Sequence, residues 1–118
     1  MKSFNSTVVA FNHLILEKKF KEALDEFYAD DVIFTINLNP PIVGTPALRV
    51  AVDEFLQNTV IEKIELVSLM IEENLSVTNW YRALEHKKFG RMARHQLSVQ
   101  RWKNNKIIQE NLFYDLLT

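Results

Sequence analysis

The sequence predicts an α+β domain with N-terminal helices packed in the concave face of a curved antiparallel sheet. Three observations predict it. Apolar residues recur at helical spacing before Thr59, the period changes to two after it, and short polar turns divide the second half into four long strands. Helices followed by hairpin-connected strands give an α+β order with an antiparallel meander. The 118 residues suit a single domain, 1–118. Strands this long must curl over the helices to bury both apolar sets. A curled sheet leaves a cone with an open end, where ligands bind.

Each element has its own signal. Ser6 or Thr7 is placed to cap a first helix, in which Val8, Phe11, Leu14 and Ile15 form one apolar face. A second, short helix reads from Lys21 to Tyr28 and is broken by Asp30-Asp31. Val32 to Ile36 is dense in β-branched and aromatic residues, so it reads as a strand, and Asn39-Pro40-Pro41 ends it. Thr45 as cap and Pro46 at the first helical position start a third helix, whose buried face is Leu48, Ala51, Val52, Phe55 and Leu56. The meander strands are Ile61 to Glu72, Leu75 to Lys87, Met92 to Trp102 and Lys106 to Tyr114. Glu73-Asn74, Phe89-Gly90 and Asn104-Asn105 turn between them.

Composition excludes several function classes. The net charge is −1, which gives no overall field toward nucleic acid or an anionic membrane. The chain has no cysteine, so disulfides, thiolate metal sites and a cysteine nucleophile are ruled out. That fits a reducing, cytoplasmic location. Met1 to Asn5 lacks the apolar run of a signal peptide, and charges interrupt every apolar stretch before it reaches membrane-spanning length. His13, His86 and His95 have no metal-ligand spacing, so neither a metal nor another cofactor is implied. His95 is expected outside any pocket, and His86 in solvent beside the Lys87-Lys88 turn. Lys87, Lys88, Arg91, Arg94 and Arg101 read as a hairpin kept soluble by charge, since no stacking aromatics interleave them.

Four segments in register resemble the SnoaL-like family and its relatives, the ketosteroid isomerases. They are Phe27-Tyr28-Ala29-Asp30-Asp31-Val32, Pro41-Ile42-Val43-Gly44, Val99-Gln100-Arg101-Trp102-Lys103-Asn104 and Lys106-Ile107-Ile108-Gln109-Glu110, followed by Phe113-Tyr114-Asp115. The resemblance implies the nuclear-transport-factor-2-like cone and a pocket for a small, largely apolar molecule. Its known mechanisms do not carry over. The isomerases' tyrosine donor falls on Asn12, their base on Ile36 or Asn37, and their protonated aspartic acid on Ser98. The catalytic aspartate of SnoaL-type cyclases falls on Leu112. Related epoxide hydrolases pair an arginine with an aspartate two residues on, but Arg82 is followed by Ala83 and Leu84.

The resemblance turns Ile108, Glu110, Leu112 and Tyr114 of the last strand toward the pocket. Glu110 is then the candidate acid or base, and its alternative role is a structural ion pair with Arg82 or Arg94. The other expected ligand-binding positions are Asn12, Phe34, Ile36 and Phe55, with Arg82, Gln96, Ser98, Leu112 and Tyr114 on the meander. Gln96, Ser98 and Gln100 share one face. The resemblance points that face inward, whereas simple apolar alternation points Leu97 and Val99 inward instead. Two alternatives to a binding protein follow: an isomerase, cyclase or hydrolase using Glu110, or a non-catalytic association domain. Leu66 and Met70 on one face of their strand, and Val67, Leu69 and Ile71 on the other, leave apolar surface outside the cone. That predicts a homodimer through the outer sheet face.

Overall fold

The computed structural model describes residues 3–114. Helices α1 (Phe4–Leu16) and α2 (Phe20–Phe27) precede strand β1 (Tyr28–Ile36). A two-residue strand β2 (Ile42–Val43) and helix α3 (Thr45–Asn58) follow. Four strands complete the chain: β3 (Thr59–Glu72), β4 (Leu75–His86), β5 (Gly90–Lys103) and β6 (Lys106–Tyr114). The strands form one six-stranded sheet in the order β2-β1-β6-β5-β4-β3. Every pairing is antiparallel except β1 with β6, which is parallel. β2 and β3 are free edges, so the sheet is curved but unclosed.

Local signals set the boundaries, with several shifts from expectation. Ser3, not Ser6 or Thr7, caps α1: its hydroxyl accepts from the Ser6 amide at 3.1 Å. The Thr7 hydroxyl instead donates back to the Ser3 carbonyl at 3.2 Å, as serine and threonine do inside a helix. Helix α2 ends at Phe27, because Tyr28 is already extended at φ −97 and ψ 135. Tyr28 to Asp31 therefore belongs to β1. Gly44, not Thr45, precedes α3. Its φ of 88 is the left-handed region that favours glycine, and a Cβ there would meet the Asp30 carbonyl oxygen at 3.4 Å. Asn104 and Asn105 both have positive φ, as a two-residue hairpin turn requires.

Bulges produce the curvature, and they overturn two expected faces. In β3 the pairing with β4 slips between Ile61 and Lys63 and again between Leu66 and Ser68. Each extra residue bends the strand around the helices and inverts the alternation beyond it. Leu66 consequently packs inward with Ile64, Leu69 and Ile71, while Met70 and Val67 point outward. In β6 a slip between Arg101 and Trp102 of its partner strand leaves Ile107 fully buried and turns Ile108 out. Ile108 thus does not share the face of Glu110, Leu112 and Tyr114.

The closed end of the cone is an aromatic core. Phe11 of α1 meets Phe27, Tyr28 and Trp102 edge-on, with ring centroids 5.7–5.8 Å apart. Val8, Leu24, Val32 and Ile107 fill the remaining space. Such edge-to-face pairs add to the burial of large apolar surfaces and fix how the helices sit in the sheet. Among the described residues, no helix is long and apolar enough to cross a membrane.

Candidate functional site

The concave face of the sheet is a ladder of cross-strand rows. Starting from Trp102 at the closed end, the first row is Phe34, Glu110, Gln100 and Ser76, contributed by β1, β6, β5 and β4. The next is Ile36, Leu112, Ser98 and Thr78. Then come Tyr114, Gln96 and Trp80, and beyond them Arg94 beside Arg82. Residues two apart on a strand share a face, so every second residue from Arg94 to Gln100 faces the cone interior. Helix α3 roofs this ladder with Ala51, Val52 and Phe55, and Phe20 closes one side. Those helix residues, apart from fully buried Leu48, are half-buried because they face a cavity rather than solid core.

The cavity is partly open and holds about 190 Å³. Its walls are mainly apolar: Phe11, Phe20, Phe34, Ile36, Ile42, Val52, Phe55, Trp80 and Leu112. That volume lies below the roughly 300–1,000 Å³ of drug-sized sites. It exceeds the roughly 150 Å³ that accepts benzene in an engineered apolar cavity.

A hydrogen-bonded polar chain crosses the first row. The Trp102 indole N–H donates to Ser76 Oγ at 2.9 Å, Ser76 Oγ donates to Gln100 Oε1 at 2.8 Å, and Gln100 Nε2 donates to Glu110 Oε2 at 2.6 Å. The Tyr28 hydroxyl hydrogen-bonds Glu110 Oε1. The indole can only donate, so Ser76 accepts from it and keeps its own proton to donate to the Gln100 carbonyl. Gln100 then presents its amide to Glu110.

Glu110 is 3% exposed, and no arginine lies within ion-pairing distance of it among the described residues. Burial raises its pKa above the ordinary carboxylate range. Hydrogen bonds from Tyr28 and Gln100, and the more distant Arg82 charge, oppose that rise without cancelling it. Tyr28 is raised well above its ordinary value, first by burial and then by the Glu110 charge. Each group therefore holds a proton more tightly than it would in water. With Glu110 neutral, its O–H can donate to the Tyr28 oxygen, which leaves the phenol hydrogen to point into the cavity.

Two cations stand at the other end. Arg82 and Arg94 are direct cross-strand neighbours, and both line the cavity. Arg94 stacks on Tyr114 at 3.7 Å from the ring centroid, and Arg82 lies 5.7 Å from that of Phe20. The Nε atoms of both are buried with no hydrogen-bond partner. Burial, followed by the neighbouring Arg94 charge, lowers the Arg82 pKa to about 10. Arg94 is lowered too, chiefly by burial.

No protein-family model matches the sequence, and no curated protein sequence does. Solved structures do match in shape. A proposed SnoaL-like polyketide cyclase from Mesorhizobium loti superposes with a TM-score of 0.88 at 18% identity, over 96% of this chain and 100% of that one. A proposed isomerase from Bacillus subtilis gives 0.80 at 15% identity, over 99% and 91%. A protein with a ketosteroid-isomerase-like fold from Catenulispora acidiphila, in complex with trimethylamine, gives 0.70 at 11% identity, over 80% and 74%. This chain has the SnoaL-like, nuclear-transport-factor-2-like fold.

Within that SnoaL-like cone, most expected positions converge. Glu110, Phe34, Ile36, Phe55, Arg82, Gln96, Ser98, Leu112 and Tyr114 all line the cavity. Asn12 does not: it is buried elsewhere on α1, and neither of its amide atoms has a partner. The face of β5 is resolved in favour of Gln96, Ser98 and Gln100 inward, with Leu97 44% exposed. His95 is exposed on the outer face beside Tyr81, and His13 is exposed on α1. His86 is half-buried rather than solvated, and its Nδ1 accepts from the Lys88 and Phe89 amides of the turn. Arg94 points into the cone instead of keeping the hairpin soluble. Asp115 lies outside the described residues. Sequence reading missed Tyr28 and Arg94 as lining residues, and missed the Ser76–Gln100–Glu110 connection. The signal was available: Ser76 and Thr78 are polar at the same period of two as Gln96, Ser98 and Gln100.

Proposed function

We propose that the cone binds one small, largely apolar molecule, whose polar end hydrogen-bonds the Tyr28–Glu110 pair. The observation that supports this reading is a saturated polar chain ending at the floor of an otherwise apolar cavity. Buried polar groups are costly unless paired, so a chain terminating where a ligand can reach is a preorganised recognition element. The volume suits a monocyclic molecule, and the fold relative from Catenulispora acidiphila holds a ligand as small as trimethylamine. Titration with benzamide, followed by NMR of labelled methyl groups, tests this. Ile36, Ile42, Val52 and Leu112 should shift, while Val67, Met70 and Leu97 outside the cone should not. Saturable shifts confined to the outer residues, or none at millimolar benzamide, refute it.

A catalytic version uses the same pair. Glu110 held as an acid supplies a proton to the Tyr28 oxygen as the phenol passes its own to a ligand oxygen. The isomerase base has no counterpart, because Ile36 faces the cavity and Asn37 spends its side-chain oxygen on the Tyr114 amide at 3.0 Å. Ketosteroid isomerase turnover should therefore be at background.

The outer face favours self-association. Phe113 and Leu97 are cross-strand neighbours, 43% and 44% exposed, and Val67 and Met70 extend the apolar surface on β3. Symmetric pairing would cover it. Sedimentation should give twice the 13.9 kDa chain mass, and Leu97→Glu should shift it to monomer.

A further inference from the structure

We infer that the ligand carries an anionic group, a carboxylate on an apolar body, and that Arg82 and Arg94 clamp it. This rests on the reading of the cone as a ligand pocket, and it adds the chemical class that the pocket selects.

Two like charges placed directly opposite on neighbouring strands repel one another. The pair is held where burial increases that cost. No carboxylate among the described residues lies within 4.0 Å of either guanidinium to offset it. Both Nε atoms are buried and unpartnered. Stacking on Tyr114 and Phe20 occupies the flat faces of the guanidinium groups. Apart from Arg94 Nη1, which donates to Met92 Sδ at 3.7 Å, it leaves their in-plane N–H edges, the geometry that binds a carboxylate with two parallel hydrogen bonds. A buried donor without an acceptor calls for explanation, and an anion from outside the chain supplies one.

The opposite end of the cavity is compatible with such a ligand. Glu110 is the one carboxyl group among the described lining residues, and burial shifts it toward its neutral form, which lessens its repulsion of an anion. Gln100 and Arg94 stand six positions apart on β5, about 20 Å of strand at full extension. The ligand's anionic group therefore sits at the arginine end, its apolar body lies against Phe34, Phe55 and Leu112, and an uncharged polar group on that body meets the Tyr28–Glu110 pair. In about 190 Å³, a carboxylate leaves room for a ring.

The test compares benzoate with benzamide, which has nearly the same shape without the charge. Calorimetric titration of the wild-type chain should show benzoate binding tighter by about tenfold or more, as charge-assisted hydrogen bonds predict. The preference should shrink in Arg82→Gln and in Arg94→Gln, with benzamide affinity retained. The wild-type comparison stands even if a variant does not fold. Equal affinity for the two probes overturns the anion clamp and keeps the pocket. Binding of neither overturns the pocket reading and this inference with it. A benzoate preference that survives in both folded variants also overturns the clamp.

Discussion

The floor and the far end of the cone are both polar, yet one is saturated and the other is not. From Trp102 through Ser76 and Gln100 to Glu110 and Tyr28, each bonding atom of the chain has a partner within the protein. At Arg82 and Arg94, the buried Nε atoms have none. A closed network rigidifies the fold around it. An open pair of like charges weakens the fold.

The comparison breaks most visibly at its anchor. Trp102→Ala removes a buried aromatic that packs on Phe4, Phe11 and Phe27 and starts the polar chain. It should cost about 3–5 kcal/mol in chemical denaturation. A loss below about 1 kcal/mol would mean that the closed end is not the core. Gln100→Leu should cost less, about 1–3 kcal/mol, by removing one of the two buried partners that Ser76 and Glu110 each have.

Acidity sharpens the comparison next. Glu110 has a raised pKa in the fold, so the folded state holds a proton that the unfolded state gives up. Its contribution is therefore fully present below the ordinary value of 4.5 and is lost as pH rises toward the folded value. Glu110→Gln removes that proton equilibrium. The stability of the variant relative to wild type should rise between pH 4.5 and neutrality. A relative stability that falls over this range would mean that Glu110 is held ionised by a structural ion pair. The smallest effect belongs to the far end. Arg94→Gln relieves a cross-strand repulsion and should change stability by less than about 1 kcal/mol, toward greater stability. A large loss there would make the arginines structural.

The order of helices, the meander and its turns were legible because each rests on local chemistry: a proline in the first turn of α3, paired asparagines at the last hairpin, an abrupt change of period at Thr59. The faces were less legible because bulges are set by the whole sheet. One extra residue near Val67 moves Leu66 to the same side as Leu69, and another turns Ile108 out while Glu110 stays in. Tyr28 escaped notice because it sits at a helix–strand boundary, where one residue decides whether it packs beside a helix or reaches into the cone. The position of Asn12 followed from a resemblance to enzymes that use a tyrosine there. Here the residue is buried away from the cavity, and nothing in the structure explains its unpartnered amide.

The central claim is that the cone is a ligand cavity and not an unfilled part of the core. A crystal structure from crystals soaked in benzoate tests it most directly. The account predicts ordered density for the ring between Phe34, Phe55 and Leu112, with the carboxylate within about 3 Å of the Arg82 and Arg94 N–H groups. A cavity closed by inward movement of Phe55 and Tyr114, with no benzoate inside at saturating concentration, would contradict it.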